Sequence, residues 1–570
     1  MLNNRNHVFV LRQVAVAALA MGLSCVIPIS TRGEPGSGSD AVALIDSKAP
    51  IAPEPPSLLV VISVDQFSAD LFSEYRSHFT GGLRRMQSAV VFPLAYQAHA
   101  TTETCPGHST ILTGAHPART GIISNDWIAP KLNREDKTVY CVEDETALGS
   151  SSRQYKVSHR HLLVPTLGER MKAINPRTRV VSIAGKDRAA VLLAGHQAEE
   201  VWWWDGKKFA SYDVQQSGNA VEKANMSAAG SVAKASAAMD LPEMCISRSR
   251  KVDLQNDRQT GQGRFARQAG DYSAFRNSPA LDRAVLDLAA DLAADLLLGS
   301  RPSPDILTIG LSATDFVGHV HGTAGSEMCI NLLALDQALG LFFERLDATA
   351  VDYQVVLTAD HGGLDFPERS SAQGAPDAAR IGPALSAEAI GSAVASEMGL
   401  SSPVLYGGKF ADIWVSPQLN TTQRAKVKRL AIAKFHADPS VHSVFTREQI
   451  LAQNMPTSAP DNWTLLERVR ASFNAERSGD FYVVLKSQRT PIADHTGSYL
   501  AMHGSPWDYD RRVPILFWRK GMEAFEQPLA VATVDIVPTL ASLINLKIPN
   551  QEIDGRCLDL VPGTRSNCIN

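Results

Sequence analysis

A doubly wound α/β fold, with a mostly parallel sheet and a smaller inserted cap, is what this sequence predicts. Two observations carry the prediction. Five short apolar runs read as buried strands, and helical patterns lie between them. Strands that alternate with helices run parallel, because a parallel pair needs a crossover long enough to hold a helix. A third observation places a site: polar residues follow the strands, and open α/β sheets bind ligands beyond the carboxyl ends of their strands.

The expected strands are SLLVVISVD (57–65), TRVVSIAG (178–185), PDILTIGLSA (304–313), YQVVLTAD (353–360) and VPILFWRKG (513–521). Each is short and rich in β-branched residues or leucine. LDRAVLDLAADLAADLLLG (281–299) and CINLLALDQALGLFFERLD (329–347) carry the helical patterns. Two stretches interrupt the alternation. Residues 196–280 contain WWWDG and a polar Ser/Ala/Gln-rich run, and read as an insertion. Residues 366–495, opening with PERSSAQGAPDAARIG, have strand and helix signals of their own and read as a cap over the site. The core is then 57–365 with 496–570, and no internal repeat is present.

The 570 residues are 44% hydrophobic and 20% charged, ordinary values for a globular enzyme. A net charge of -4 gives no bulk electrostatic case for nucleic acid or an anionic membrane. At the N-terminus, Arg5 and Arg12 introduce the apolar stretch VAVAALAMGLSCVIPI (14–29), followed by the flexible STRGEPGSGSD. The stretch is shorter than the roughly 20 residues of a spanning helix. Residues 1–33 therefore read as an export signal and 34–56 as a linker, with a retained anchor as the alternative. A periplasmic or secreted location follows. Cys25 raises lipid attachment, but Gly22-Leu23-Ser24 fits that signal poorly, since leucine is expected at position 22. Without Cys25 six cysteines remain, an even number that permits disulfides in an exported chain. Cys557 and Cys568, close together in an irregular tail, are the favoured pair.

The strand ends deliver carboxylates and imidazoles. The first strand ends at Asp65, the third leads to Asp315 and His319, the fourth ends at Asp360-His361, and His503 precedes the fifth. These donors suit zinc, and also cobalt or manganese. Six ligands divide into two three-ligand sites, each with an open position. Two ions roughly 3.5–4 Å apart can clamp the attacking and leaving oxygens of a phosphoryl transfer. TADHGG (358–363) lets adjacent Asp and His both face the site if Gly362-Gly363 allows a turn. In TDFVGHVHG (314–322) Asp315 and His319 share a helix face, with His321 as a competitor. His495 competes with His503.

Together and in order, VISVDQF, TETCPGHSTILTG, GIISNDW, TDFVGH, TADHGG and HGSPWDYDRRVP resemble the alkaline phosphatase superfamily. The resemblance covers most of residues 57–562. It is nearest to bacterial alkaline phosphatases with a threonine nucleophile, relatives of the nucleotide pyrophosphatase/phosphodiesterases. It implies a doubly wound core and two zinc ions, one held by Asp315, His319 and His503, the other by Asp65, Asp360 and His361. It also implies Thr104, two residues before Pro106, as nucleophile. Sulfatases of the superfamily carry Cys-x-Pro-x-Arg; here Cys105 is one residue out of register and His108 stands where Arg would be, so Cys105 is a neighbour. Zinc coordination would supply the alkoxide. Alone, Thr104 would read as a helix N-cap. Asn125, Lys186 and Arg188 match the residues that contact phosphoryl oxygens in the threonine-type monoesterases, a Lys/Arg pair that the diesterase relatives lack. The expected function is an alkaline phosphatase acting on phosphorylated small molecules. A phosphodiesterase on the same scaffold, or an inactive member that binds phosphorylated ligands, are the alternatives.

Overall fold

The computed structural model describes residues 54–212, 218–254, 259–401, 403–493, 497–563 and 566–568. The expected export signal, Cys25 and His495 lie outside the described residues. Residues from Glu54 onward form one compact unit.

All five expected strands form, as Leu58–Val64, Val180–Ala184, Asp305–Leu311, Tyr353–Thr358 and Arg512–Arg519. Leu58–Val64 is central, paired in parallel with Asp305–Leu311 on one side and Tyr353–Thr358 on the other. Val180–Ala184 adds in parallel beyond Asp305–Leu311. Arg512–Arg519 runs antiparallel to Tyr353–Thr358. Val60, Val61, Ile62, Leu307, Ile309, Val355 and Val356 are all fully buried, as expected for strands covered by helices on both faces. The two expected helices span Pro279–Asp295 and Ser326–Asp347. The second is long and apolar enough to cross a membrane, but it packs into the core.

The structure adds two full strands to the sheet. Val90–Tyr96 pairs antiparallel with Arg512–Arg519. Pro93 hides it from a pattern search, since proline cannot donate to a ladder. The register shifts there, between Val513↔Ala95 and Ile515↔Phe92, so Pro93 and Leu94 stand opposite Pro514 in an irregular pairing. Glu200–Trp204 pairs in parallel with Val180–Ala184. The stretch 196–280, expected as an insertion, therefore opens inside the main sheet. Its three tryptophans sit in a strand buried from Val201 to Trp204, and aromatic residues favour that setting.

Within 366–495 a separate antiparallel sheet has the order Leu405–Gly407, Ala411–Val415, Phe481–Leu485, Val441–Thr446. It has its own apolar cluster, including Val394, Ile413, Phe435 and Phe481. Three disulfides cross-link the described residues: Cys105–Cys141, Cys245–Cys329 and the expected Cys557–Cys568.

Candidate active site

Four parallel strands end on one edge of the sheet, and each hands a polar residue to it. Asp65 directly follows Val64, and its N–H donates to Leu311 O at 2.8 Å. Asp360 lies just past Thr358. Lys186 follows Ala184, and Asp315 enters helix Ala313–His321 after Leu311. The antiparallel strand Arg512–Arg519 begins at the edge where its neighbours end, which brings His503 to the same place.

One group forms from Asp315, His319 and His503, whose ligand atoms lie within 4.8 Å of one another. His319 Nε2 and His503 Nε2 each lie 3.3 Å from Asp315 Oδ1. His319 Nδ1 is 2.8 Å from Ala501 O, and His503 Nδ1 is 2.9 Å from Thr102 O. A carbonyl cannot donate, so each Nδ1 carries the proton and each Nε2 keeps its lone pair for a metal. His321, the competing histidine, turns away and meets Phe265 edge-on at 5.8 Å.

The second group is Asp65, Asp360 and His108. His108 Nε2 is 3.3 Å from Asp65 Oδ1, and Nδ1 is 3.3 Å from Asp360 Oδ2. His361, expected as the third ligand, also reaches this group: its Nε2 lies 3.2 Å from Asp360 Oδ2. Its Nδ1 donates to Gly362 O at 2.8 Å, and its ring stacks on His503 at 3.6 Å. Sequence reasoning passed over His108 as a donor. Its place four residues after Thr104 was the available signal, because residues four apart share a helix face. Gln66 was missed as well. Its N–H donates to Asp360 Oδ1 at 3.1 Å and its Nε2 to Asp315 Oδ1 at 3.3 Å, so it ties the two groups together. It does so from a left-handed backbone with φ of 63°, a conformation that non-glycine residues adopt mainly where the surroundings impose it.

The glycines serve close approach. A Cβ on Gly107 would stand 2.0 Å from Asp360 O, so the helix carrying Thr104 can press against the Asp360 backbone only with glycine there. Gly362, expected to permit a turn, is not in the left-handed region. Instead its Cβ would meet Tyr509 O at 2.2 Å.

Burial alone would drive Asp315 towards its neutral form, but its neighbours oppose that. Despite burial, His319 and Lys186 keep Asp315 well below the usual carboxylate range. Burial also opposes charge on His108, but Asp360 and Asp65 outweigh it and push that imidazole up to about 10. Such crowding of carboxylates is what divalent cations neutralise. The donors fit metal ions on a second ground: Asp65 Oδ1, Asp360 Oδ2, His361 Nε2 and His108 Nε2 are buried and make no hydrogen bond among the described residues.

Thr104 opens helix Thr104–Thr113 as its first residue, and Glu103 holds the cap position. The threonine hydroxyl does not cap the helix; it is buried and has no hydrogen-bond partner among the described residues. Cys105 is bridged to Cys141, so its sulfur is half of a structural disulfide beside Thr104. Asn125 is held on three sides. Its Oδ1 accepts from Cys105 N at 2.9 Å, its N–H donates to Glu103 Oε2 at 2.6 Å, and its carbonyl accepts from Cys141 N at 2.9 Å. This leaves the side-chain NH₂ for a ligand. Lys186 Nζ bridges Asp65 Oδ2 at 2.9 Å and Asp315 Oδ2 at 2.5 Å, one carboxylate from each group. Arg188 lies two residues on, at the start of helix Asp187–Ala194.

Paired carboxylate and imidazole clusters beside a buried hydroxyl, on the carboxyl edge of a doubly wound sheet, mark the alkaline phosphatase superfamily. Residues 59–506 match the type I phosphodiesterase / nucleotide pyrophosphatase family, and the chain belongs to it. It is 51% identical over 524 residues to alkaline phosphatase PhoK of Sphingomonas sp., covering 91% of this chain and 93% of that protein. It is 41% identical over 565 residues to alkaline phosphatase PhoD of Zymomonas mobilis, covering 98% and 97%. The crystal structure of alkaline phosphatase PafA superposes with a TM-score of 0.78 at 25% identity, covering 90% of this chain and 100% of that one.

Proposed function

We propose that this chain is an exported, zinc-dependent alkaline phosphatase that hydrolyses phosphate monoesters of small molecules through a phosphothreonine at Thr104. The observation that carries this reading is one buried, unpartnered hydroxyl on a helix that packs against both acids of a metal-binding group. The relatives named as alkaline phosphatases support it. Zinc ions held by Asp315, His319 and His503, and by Asp65, Asp360 and His361, would supply charge to activate the hydroxyl and stabilise the leaving oxygen.

Thr104 Oγ gives up its proton and bonds to phosphorus, and the ester oxygen departs with its electron pair. Water then attacks the phosphothreonine, releasing inorganic phosphate and restoring the hydroxyl. Asn125, Lys186 and Arg188 meet the nonbridging oxygens, and the helix N-terminus at Thr104 favours the same anion. Residues 366–495 act as the cap. Phe410, Tyr482 and Leu485 from that segment line a pocket with His503. Three disulfides support an oxidising compartment and hence export.

The family description favours a second reading, a phosphodiesterase. A monoester presents one more terminal oxygen and up to one more charge than a diester, and Lys186 and Arg188 can use both. Rates on an aryl phosphate and the matching diester separate the readings. Arg188→Ala or Lys186→Ala should lower monoester kcat/KM by about 30- to 1000-fold, the loss of a charged donor at the transition state, and diester kcat/KM much less. A wild-type enzyme faster on the diester overturns the first reading.

A further inference from the structure

Arg188 does not stand alone. Its Nη1 donates to the Tyr140 hydroxyl oxygen at 3.2 Å, and Tyr140 in turn donates to Asp187 Oδ1 at 2.8 Å. Tyr155 donates to the other oxygen, Asp187 Oδ2, at 2.8 Å. The Arg188 backbone N–H closes the set on Asp187 Oδ1 at 2.7 Å. The two tyrosine rings lean together, with centroids 4.6 Å apart. An anion that accepts the Tyr140 proton enriches the lone pair facing the guanidinium, so the chain from Asp187 to Arg188 is mutually strengthening.

Tyr140 also stands where the hairpin meets the phosphoryl-binding residues. It ends strand Thr138–Tyr140 and pairs with Asp126, the neighbour of Asn125. The next residue, Cys141, donates to the Asn125 carbonyl and is bridged to Cys105 beside Thr104. A flexible guanidinium loses much rotamer freedom when it clamps an anion, and a partner that holds it beforehand removes that cost from binding.

We propose that Tyr140 is a positioning residue for phosphoryl recognition, fixing the Arg188 guanidinium through the Asp187–Tyr155 pair. The inference rests on the role given to Arg188 above. It adds a selection rule: the hairpin residue tunes how tightly the enzyme holds a terminal phosphoryl group, without touching that group. Burial, with Asp187 next, holds the Tyr140 hydroxyl well above its ordinary pKa, so it remains a donor in alkaline solution.

Tyr140→Phe keeps the ring and removes the hydroxyl. In the metal-loaded enzyme it should raise KM for an aryl phosphate, and Ki for inorganic phosphate, by about 10-fold, as for one lost hydrogen bond to a charged group. Diester kcat/KM and bound metal should stay close to wild type. Tyr155→Phe, at a less buried ring, should shift phosphate Ki in the same direction. The deciding measurement is Tyr140→Phe in an Arg188→Ala background, where little further change is expected. A full additional loss there, or equal losses on monoester and diester, overturns the inference. If Arg188→Ala weakens phosphate and neither tyrosine variant does, only the positioning role fails. If Arg188→Ala itself leaves phosphate binding intact, the role of Arg188 fails with it.

Discussion

Thr104 and His108 share one helix face, and their chemistry separates by what each touches. Thr104→Ala should cut monoester turnover by at least about 1000-fold, as removal of a nucleophile does, whereas Thr104→Ser keeps a hydroxyl and part of the rate. Mass spectrometry of an acid-quenched reaction should find the phosphoryl group on Thr104; a group trapped on another residue would sink the assignment. The Cys105 sulfur competes poorly for that role, being tied to Cys141. His361 and His108 both contact Asp360, and metal titration separates them. His361→Ala should lose one of two bound ions. His108→Ala should retain both at saturating metal while weakening one by about 10- to 100-fold, the usual effect of removing a group that orients a ligand. The opposite result would make His108 the ligand. Asp65, Asp315, His319 and His361 were legible in the sequence because each follows a strand, and the strand ends can be read from apolar runs. Gln66 was not, since nothing local announces its left-handed backbone or the two acids it bridges.

The hairpin Asp126–Ile128 with Thr138–Tyr140 is the element on which the phosphoryl-binding residues depend. It lies between Asn125 and Cys141, and the Cys105–Cys141 bridge fastens it to the helix of Thr104. Cys141→Ala should lower stability by about 2–4 kcal/mol, the usual worth of a disulfide closing a loop of this size. It should also lower monoester kcat/KM, because the Asn125 carbonyl and side chain are both held at the two ends of that bridge. Cys557→Ala serves as the control: its bridge closes the C-terminal tail, so it should change the melting temperature and leave kcat/KM alone. Equal catalytic losses in both variants would deny the hairpin a specific role.

At the scale of the molecule, three acids and four imidazoles converge on one edge of the sheet, and their mutual charge is a burden that bound cations relieve. Chelation should abolish activity and zinc should restore it, with about two ions per chain at full activity. Metal should also raise the melting temperature, since a ligand at 100 times its Kd stabilises the folded state by about 2.7 kcal/mol. Full activity in a rigorously metal-free sample would defeat the mechanism, and an unchanged melting curve would deny these clusters their structural share.

The layered α/β class was determined by the sequence alone, because buried parallel strands must be continuous apolar runs and crossovers must be helical. So was the edge that bears the site, because polar residues at the ends of buried strands have nowhere else to go. Tertiary structure decided the rest. Pro93 masks a strand that only its antiparallel partner and a register shift make possible. Proximity in the tail singled out Cys557 and Cys568, but the other four cysteines could be paired only once the fold brings Cys105 to Cys141 and Cys245 to Cys329 across separations of 36 and 84 residues. His108 and Tyr140 acquire their partners through contacts with residues distant in the chain, and a linear pattern holds no record of such distances.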